Sequence, residues 1–209
     1  GTTGAVLWQT PLTFTPTRIA LDAGGNVFAI GSIFSLTGNY DFATAKISGV
    51  TGSVAWGPVL LDDAGQNDYV VSLGVDPSGD VMVAGSTDGG MGSTGWLTLK
   101  YSGATGALLW GPALLDNGYV NDLAVDAAGD VIVIGPHNTD MATIKYSGAS
   151  GSVLWGPVLV NGPGDYYDYA DRVAVGPTGD VFVTGWLSGI SYPDADWATI
   201  KYRGSDGAT

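Results

Sequence analysis

The densest grouping of residues able to do chemistry is the run 162–171, GPGDYYDYAD, in which Asp165, Asp168 and Asp171 alternate with Tyr166, Tyr167 and Tyr169. Carboxylate oxygens on a loop suit calcium, a hard cation that takes roughly six to eight oxygen ligands. Tyrosines beside carboxylates also suit a sugar, whose C–H faces stack on aromatic rings while its hydroxyls bond to acidic oxygens. The Asp-x-Asp-x-Asp-Gly spacing of a dedicated calcium loop is absent, so calcium is permitted here and not specified. Asp165, Tyr166, Tyr167 and Asp168 are the candidate ligand-binding residues, because they form an insertion; Tyr169 and Asp171 align with the ordinary start of a strand. A plain surface loop is the competing reading of the same residues.

Elsewhere the reactive inventory is thin. His137 is the sole histidine and cysteine is absent, which excludes a Ser–His or Cys–His relay held in reserve and a three-histidine or thiolate metal centre. The sequence therefore predicts no catalytic residue, no resident metal and no cofactor, and a protein that is not an enzyme. Four lysines, Lys46, Lys100, Lys145 and Lys201, follow apolar stretches of similar sequence. They are expected to reach an aspartate or the carbonyls of a neighbouring strand, since a charge among apolar residues needs a partner.

The elements that must position these groups are β-strands. Every one of the 20 acidic residues is aspartate, which favours turns, and glutamate, which favours helix interiors, is missing. Seven tryptophans, ten tyrosines and 45% hydrophobic residues give the chain the material of a folded core. The net charge of −13 excludes a nucleic-acid partner, because little is available to neutralise phosphates, and it opposes anionic membrane surfaces. No hydrophobic run approaches the ~20 residues of a membrane span. No leader peptide or initiating methionine is evident, as in a mature or excised segment.

The chain is built of repeats. TTGAVLW, VTGSVAW, ATGALLW and ASGSVLW place Trp8, Trp56, Trp110 and Trp155 at one repeat position. DFATAKI, GWLTLKY, DMATIKY and DWATIKY place the four lysines at another, and LDAGGNVFAIG, VDPSGDVMVAG, VDAAGDVIVIG and VGPTGDVFVTG mark a third. The units run over approximately 1–48, 49–102, 103–147 and 148–203, with residues 204–209 opening a fifth. Each unit predicts four short strands. The Trp-Gly-Pro strand belongs at a sheet edge or a bulge, because proline cannot donate to a ladder. The Val-rich strand is apolar at nearly every position and is covered on both faces. Asp-Pro-Ser-Gly-Asp (76–80) is a tight hairpin turn. Four antiparallel strands per unit, repeated four times, predict an all-β fold, a β-propeller of four four-stranded blades. The ring closes on itself if 5–8 completes the last blade; otherwise the chain is an arc of a larger propeller.

The motifs DYA, VAVDPSGDVFVTG-like, DWATIKYSG-like and TGxxLW resemble the bacterial β-propeller repeat called the seven-bladed or SBBP type, across essentially the whole chain. That resemblance implies a secreted or cell-surface bacterial protein whose propeller is a binding or structural module, with no agreed active site to transfer. Gly95 departs from the pattern, where the other units carry Asp41, Asp140 and Asp196. The TG-x-x-x-W run also resembles the tryptophan-docking motif of PQQ quinoproteins, which makes a fragment of such an enzyme one alternative; a lectin-like propeller using blade-edge aromatics is another. The partner is an unspecified protein or glycan, with self-association or the remainder of a longer propeller as further expectations.

Overall fold

The computed structural model describes residues 3–36, 38–62, 65–89, 93–164, 166–190 and 194–209, and these form fifteen strands in four antiparallel sheets without a helix. Blade 1 holds β1 (Thr15–Leu21), β2 (Val27–Phe34), β3 (Tyr40–Ile47) and β4 (Val54–Leu61). Blade 2 holds β5 (Asp68–Val75), β6 (Val81–Gly89), β7 (Ser93–Tyr101) and β8 (Leu108–Asp116). Blade 3 holds β9 (Asp122–Val125), β10 (Val131–His137), β11 (Asp140–Tyr146) and β12 (Val153–Val160). Blade 4 has three strands, β13 (Tyr169–Val175), β14 (Val181–Ser188) and β15 (Ala195–Tyr202). Strands follow in chain order within each sheet, and β1, β5, β9 and β13 neighbour one another along the inside of the stack. This is the propeller arrangement.

Local chemistry explains the strands. In β10 the six residues from Val131 to Pro136 are all buried, as a strand covered on both faces requires. The turn before β6 is held by Asp76, whose Oδ1 accepts the N–H groups of Ser78 and Asp80 at 2.9 Å each, while Gly79 takes φ +86°. Pro58, Pro112 and Pro157 lie on β4, β8 and β12, the outermost strands, where a missing N–H leaves no ladder partner unmatched. The pairing of these strands shifts register beside the lysine, at Thr44/Lys46, Thr98/Lys100 and Thr143/Lys145. Each of these outermost strands comes from the repeat that follows, so the sheets are offset by one strand from the sequence units.

Burial concentrates between blades. Phe28, Ile30 and Phe42 of blade 1 pack on Val70, Val83 and Leu99 of blade 2. Met82, Trp96 and Trp110 of blade 2 pack on Leu123, Val133 and Ile144 of blade 3. Ile132, Met141 and Trp155 of blade 3 pack on Val181, Val183 and Tyr202 of blade 4. One polar pin recurs at each junction. The Nζ of Lys46 and the Nε1 of Trp56 both donate to the Gly103 carbonyl, at 2.8 and 3.1 Å. Lys100 and Trp110 do the same to Gly148, and Lys145 and Trp155 to Gly204. The indole lies flat on the next turn: a Cβ on Gly106, whose φ is +74°, would sit 2.8 Å from the Trp56 ring. Only glycine meets both the φ and the approach.

The ring is not closed: β15 pairs only with β14, and the blade 4 face opposite blade 3 has no neighbouring blade among the described residues. The segment 5–8 does not complete blade 4. It lies on blade 1, where Trp8 donates to the Gly49 carbonyl at 3.0 Å and joins Leu12 and Phe14 over Ala29, Ala43 and Ala45.

The lysines sit in ion pairs with the turn aspartates, at 2.9 Å for Lys46–Asp22 and 2.7 Å for Lys100–Asp76 and Lys145–Asp126. The Asn26 side-chain amide and the Lys46 ammonium, against the opposing effect of burial, hold Asp22 at about 2, below its ordinary 3.8. Burial pushes Asp76 up, but Lys100, Ser78 and the Asp80 N–H together hold it below its ordinary value. A carboxylate depressed in the folded state contributes stability above its unfolded pKa and loses it as pH falls through the folded one. The thermal midpoint is therefore expected to fall between about pH 4 and about pH 2, and Asp22→Asn is expected to remove part of that fall. A pH profile identical in the variant would contradict the assignment.

Candidate functional site

The start of β13, the end of β14 and the start of β15 come together at one end of blade 4. Tyr169 opens β13, Trp186 lies near the end of β14, and they pair across the ladder with ring centroids 4.5 Å apart and planes 23° apart. Tyr167 stands 6.2 Å from Tyr169, and Tyr119 of the neighbouring blade stands 6.5 Å from it on another side. Together Tyr166, Tyr167, Tyr169, Trp186, Ser188, Asp194 and Ala195 line a cleft of about 310 Å³. Burial, with Tyr169 and Asp171 adding to it, pushes Tyr119 up to about 12, so it stays a neutral hydroxyl.

The four sequence-predicted residues fare differently. Tyr166 and Tyr167 are exposed and line the cleft. Asp168 is fully buried and serves the backbone: its Oδ1 accepts the Ser188 N–H at 2.6 Å and its Oδ2 the Gly162 N–H at 2.8 Å. It ties the insertion to the end of β14, and the tyrosines on either side are held by that tie. Asp165 lies outside the described residues. Trp186, Ser188 and Asp194 were not foreseen. The signal for Trp186 was a break in the repeat, since Ser32, Ser86 and Pro136 occupy its position in the other blades.

The described carboxylates that approach one another to ligand distance are in blades 1 and 2. Oxygens of Asp41, Asp62 and Asp68 lie within 4.8 Å of one another. The Asn39 side-chain amide donates to Asp41 at 2.9 Å and to Asp62 at 3.3 Å, bridging them. Burial and the nearby Asp62 push Asp41 above its ordinary value. His137 ends β10, with its Nδ1 3.1 Å from the Asn138 side-chain amide.

Neither a protein-family model nor a curated protein matches the chain. Solved structures do resemble it. A luciferin-regenerating enzyme is 14% identical over 94% of this chain and 66% of that one, with a TM-score of 0.47. An endo-arabinase from Bacteroides thetaiotaomicron is 10% identical over 97% of this chain and 79% of that one, with a TM-score of 0.49. A protein of unknown function from Bacteroides caccae is 11% identical over 99% and 85%, with a TM-score of 0.38. The chain thus spans 66% of the length of the first. The likeness is one of propeller-like architecture alone. It corrects one expectation nonetheless. Composition predicted a protein that is not an enzyme, and that expectation is set aside, since two of the solved structures that resemble the chain are named as enzymes.

No helix among the described residues is long and apolar enough to cross a membrane.

Proposed function

We propose that this propeller arc is a ligand-binding module, that the blade 4 cleft is its binding site, and that the ligand is a neutral carbohydrate. The observation that carries the reading is the composition of the cleft: Tyr166, Tyr167, Tyr169 and Trp186 offer aromatic surface beside the Ser188 hydroxyl and the Asp194 carboxylate. A pyranose packs its C–H face on such rings and satisfies its hydroxyls on the polar rim. A net charge of −13 disfavours an anionic ligand. Loops on a rigid β-scaffold are where binding residues concentrate, and the insertion is the part of the chain that the repeat does not require. The repeat motifs resemble those of bacterial secreted or surface propellers, which supports a place outside the cytoplasm.

The test is a glycan array followed by calorimetry on the glycans retained. Tyr167→Ala and Trp186→Ala are each expected to weaken binding about tenfold, equivalent to about 1.4 kcal/mol, with the fold unchanged by circular dichroism. Tyr167 is exposed, so its loss leaves the core intact. Retained glycans that bind both variants as tightly as the parent would remove the cleft from consideration.

A further inference from the structure

Blade 4 ends in a surface that is interior in every other blade. At one repeat position Phe42, Trp96 and Met141 are almost fully buried, each covered by the blade that follows, whereas Trp197 is 81% exposed. At a second, Phe28, Met82 and Ile132 are fully buried and Phe182 is 39% exposed. The lysine pin is also half-made. Lys201 pairs with Asp180 at 2.7 Å, but no glycine carbonyl of a following blade receives it, and its side chain is 57% exposed against 9% for Lys100.

The opposite end of the arc carries the complementary half. In blades 2, 3 and 4 the inner-strand residues Leu73, Leu123 and Val173 pack on the preceding blade; their blade 1 equivalent, Ile19, is 65% exposed. The Gly49 carbonyl has its tryptophan, Trp8, but no lysine. The segment 5–8 repeats the outermost-strand sequence yet has no strand partner, and blade 4 is the sheet that lacks an outermost strand.

We infer that the open face of blade 4 docks the blade 1 end of a second copy of this chain, whose segment 5–8 supplies the fourth strand of the sheet and whose Gly49 carbonyl receives Lys201. The contact is head-to-tail and hydrophobic, with Trp197 and Phe182 meeting Ile19 and Trp8. Such a contact gives a closed ring or an open filament, depending on the rotation. Two copies of four blades make eight, within the roughly four to eight blades of common propellers; three copies would exceed it. The proposal is of a closed pair, eight blades in one ring.

Sedimentation equilibrium of the full 209-residue chain at about 1–100 μM distinguishes the outcomes. A dimer is expected. Trp197→Asp and Ile19→Asp, both at surfaces exposed in the single chain, are each expected to give folded monomers, and mixing the two variants is expected to restore part of the dimer through the one intact junction. A parent chain that stays monomeric throughout overturns the proposal, as does a mass that grows without limit. A dimer that survives Ile19→Asp while Trp197→Asp abolishes it also overturns it, because that outcome means two blade 4 faces meet each other.

Discussion

Replacing Trp110 with alanine is expected to lower the unfolding free energy by about 3–5 kcal/mol, the range for removing a large buried aromatic. Trp110 belongs to β8 of blade 2, yet its ring lies on blade 3: it touches the position where a Gly151 side chain would begin, and its Nε1 donates to the Gly148 carbonyl at 2.9 Å. The substitution opens a cavity at the junction and leaves Lys100 as the sole donor to that carbonyl. Neither neighbouring sheet can collapse into the space, because the outermost strand and the 147–152 turn are each fixed by their own backbone hydrogen bonds. Chemical denaturation with tryptophan-independent detection measures the change. A midpoint shift equivalent to under about 1 kcal/mol would show that the indole does not hold the blades together.

The second large effect is expected at the lysine beside it. Lys100→Met is expected to cost about 3 kcal/mol, the lower end of the range for breaking a buried ion pair by removing one partner. Lys100 and Asp76 are both nearly inaccessible, and their charged atoms meet at 2.7 Å. The lower end applies because Asp76 keeps the Ser78 hydroxyl at 2.6 Å and two backbone N–H groups. Asp76→Asn in the same background removes the stranded charge and is expected to recover part of the loss. Lys201→Met is the internal control, with both lysine variants compared in the monomeric Ile19→Asp background, since there its lysine sits in solvent at the open end of the arc and its loss is expected to leave the thermal midpoint unchanged. Equal destabilisation by Lys100→Met and Lys201→Met would mean that the ion pair acts within a blade and not at the junction.

These two residues mark what could be read in advance and what could not. Their recurrence at fixed phase in each repeat identified the blade and the strand order, because a position kept through four copies answers to a contact that recurs from blade to blade. The nature of that contact, one glycine carbonyl of the next blade shared by an indole and an ammonium, depends on how sheets stack, and periodicity within a sheet carries no record of stacking. The offset between repeat and sheet had the same origin: the Trp-Gly-Pro strand is adjacent in sequence to the strands of its own unit but pairs with those of the unit before. At the candidate site, inserted residues stood out and Tyr166 and Tyr167 were legible, whereas Asp168 looked like a ligand because a short carboxylate serves a backbone as readily as a cation. Trp186 was passed over because it sits inside a strand that otherwise follows the repeat.

The pinning of each blade to the next through a shared carbonyl is tested most directly by exchange of the indole N–H protons, followed by NMR on protein labelled at tryptophan. The hydrogen bonds of Trp8, Trp56, Trp110 and Trp155 to Gly49, Gly103, Gly148 and Gly204 predict that these four indole protons exchange far more slowly than those of free tryptophan, as does that of the buried Trp96, which donates to the Pro136 carbonyl at 3.3 Å. Gly106→Ala, which lifts the Trp56 ring from its turn, is predicted to speed the Trp56 proton and leave the Trp155 proton protected. Four indole protons that exchange at the rate of free tryptophan in the folded protein would contradict the account.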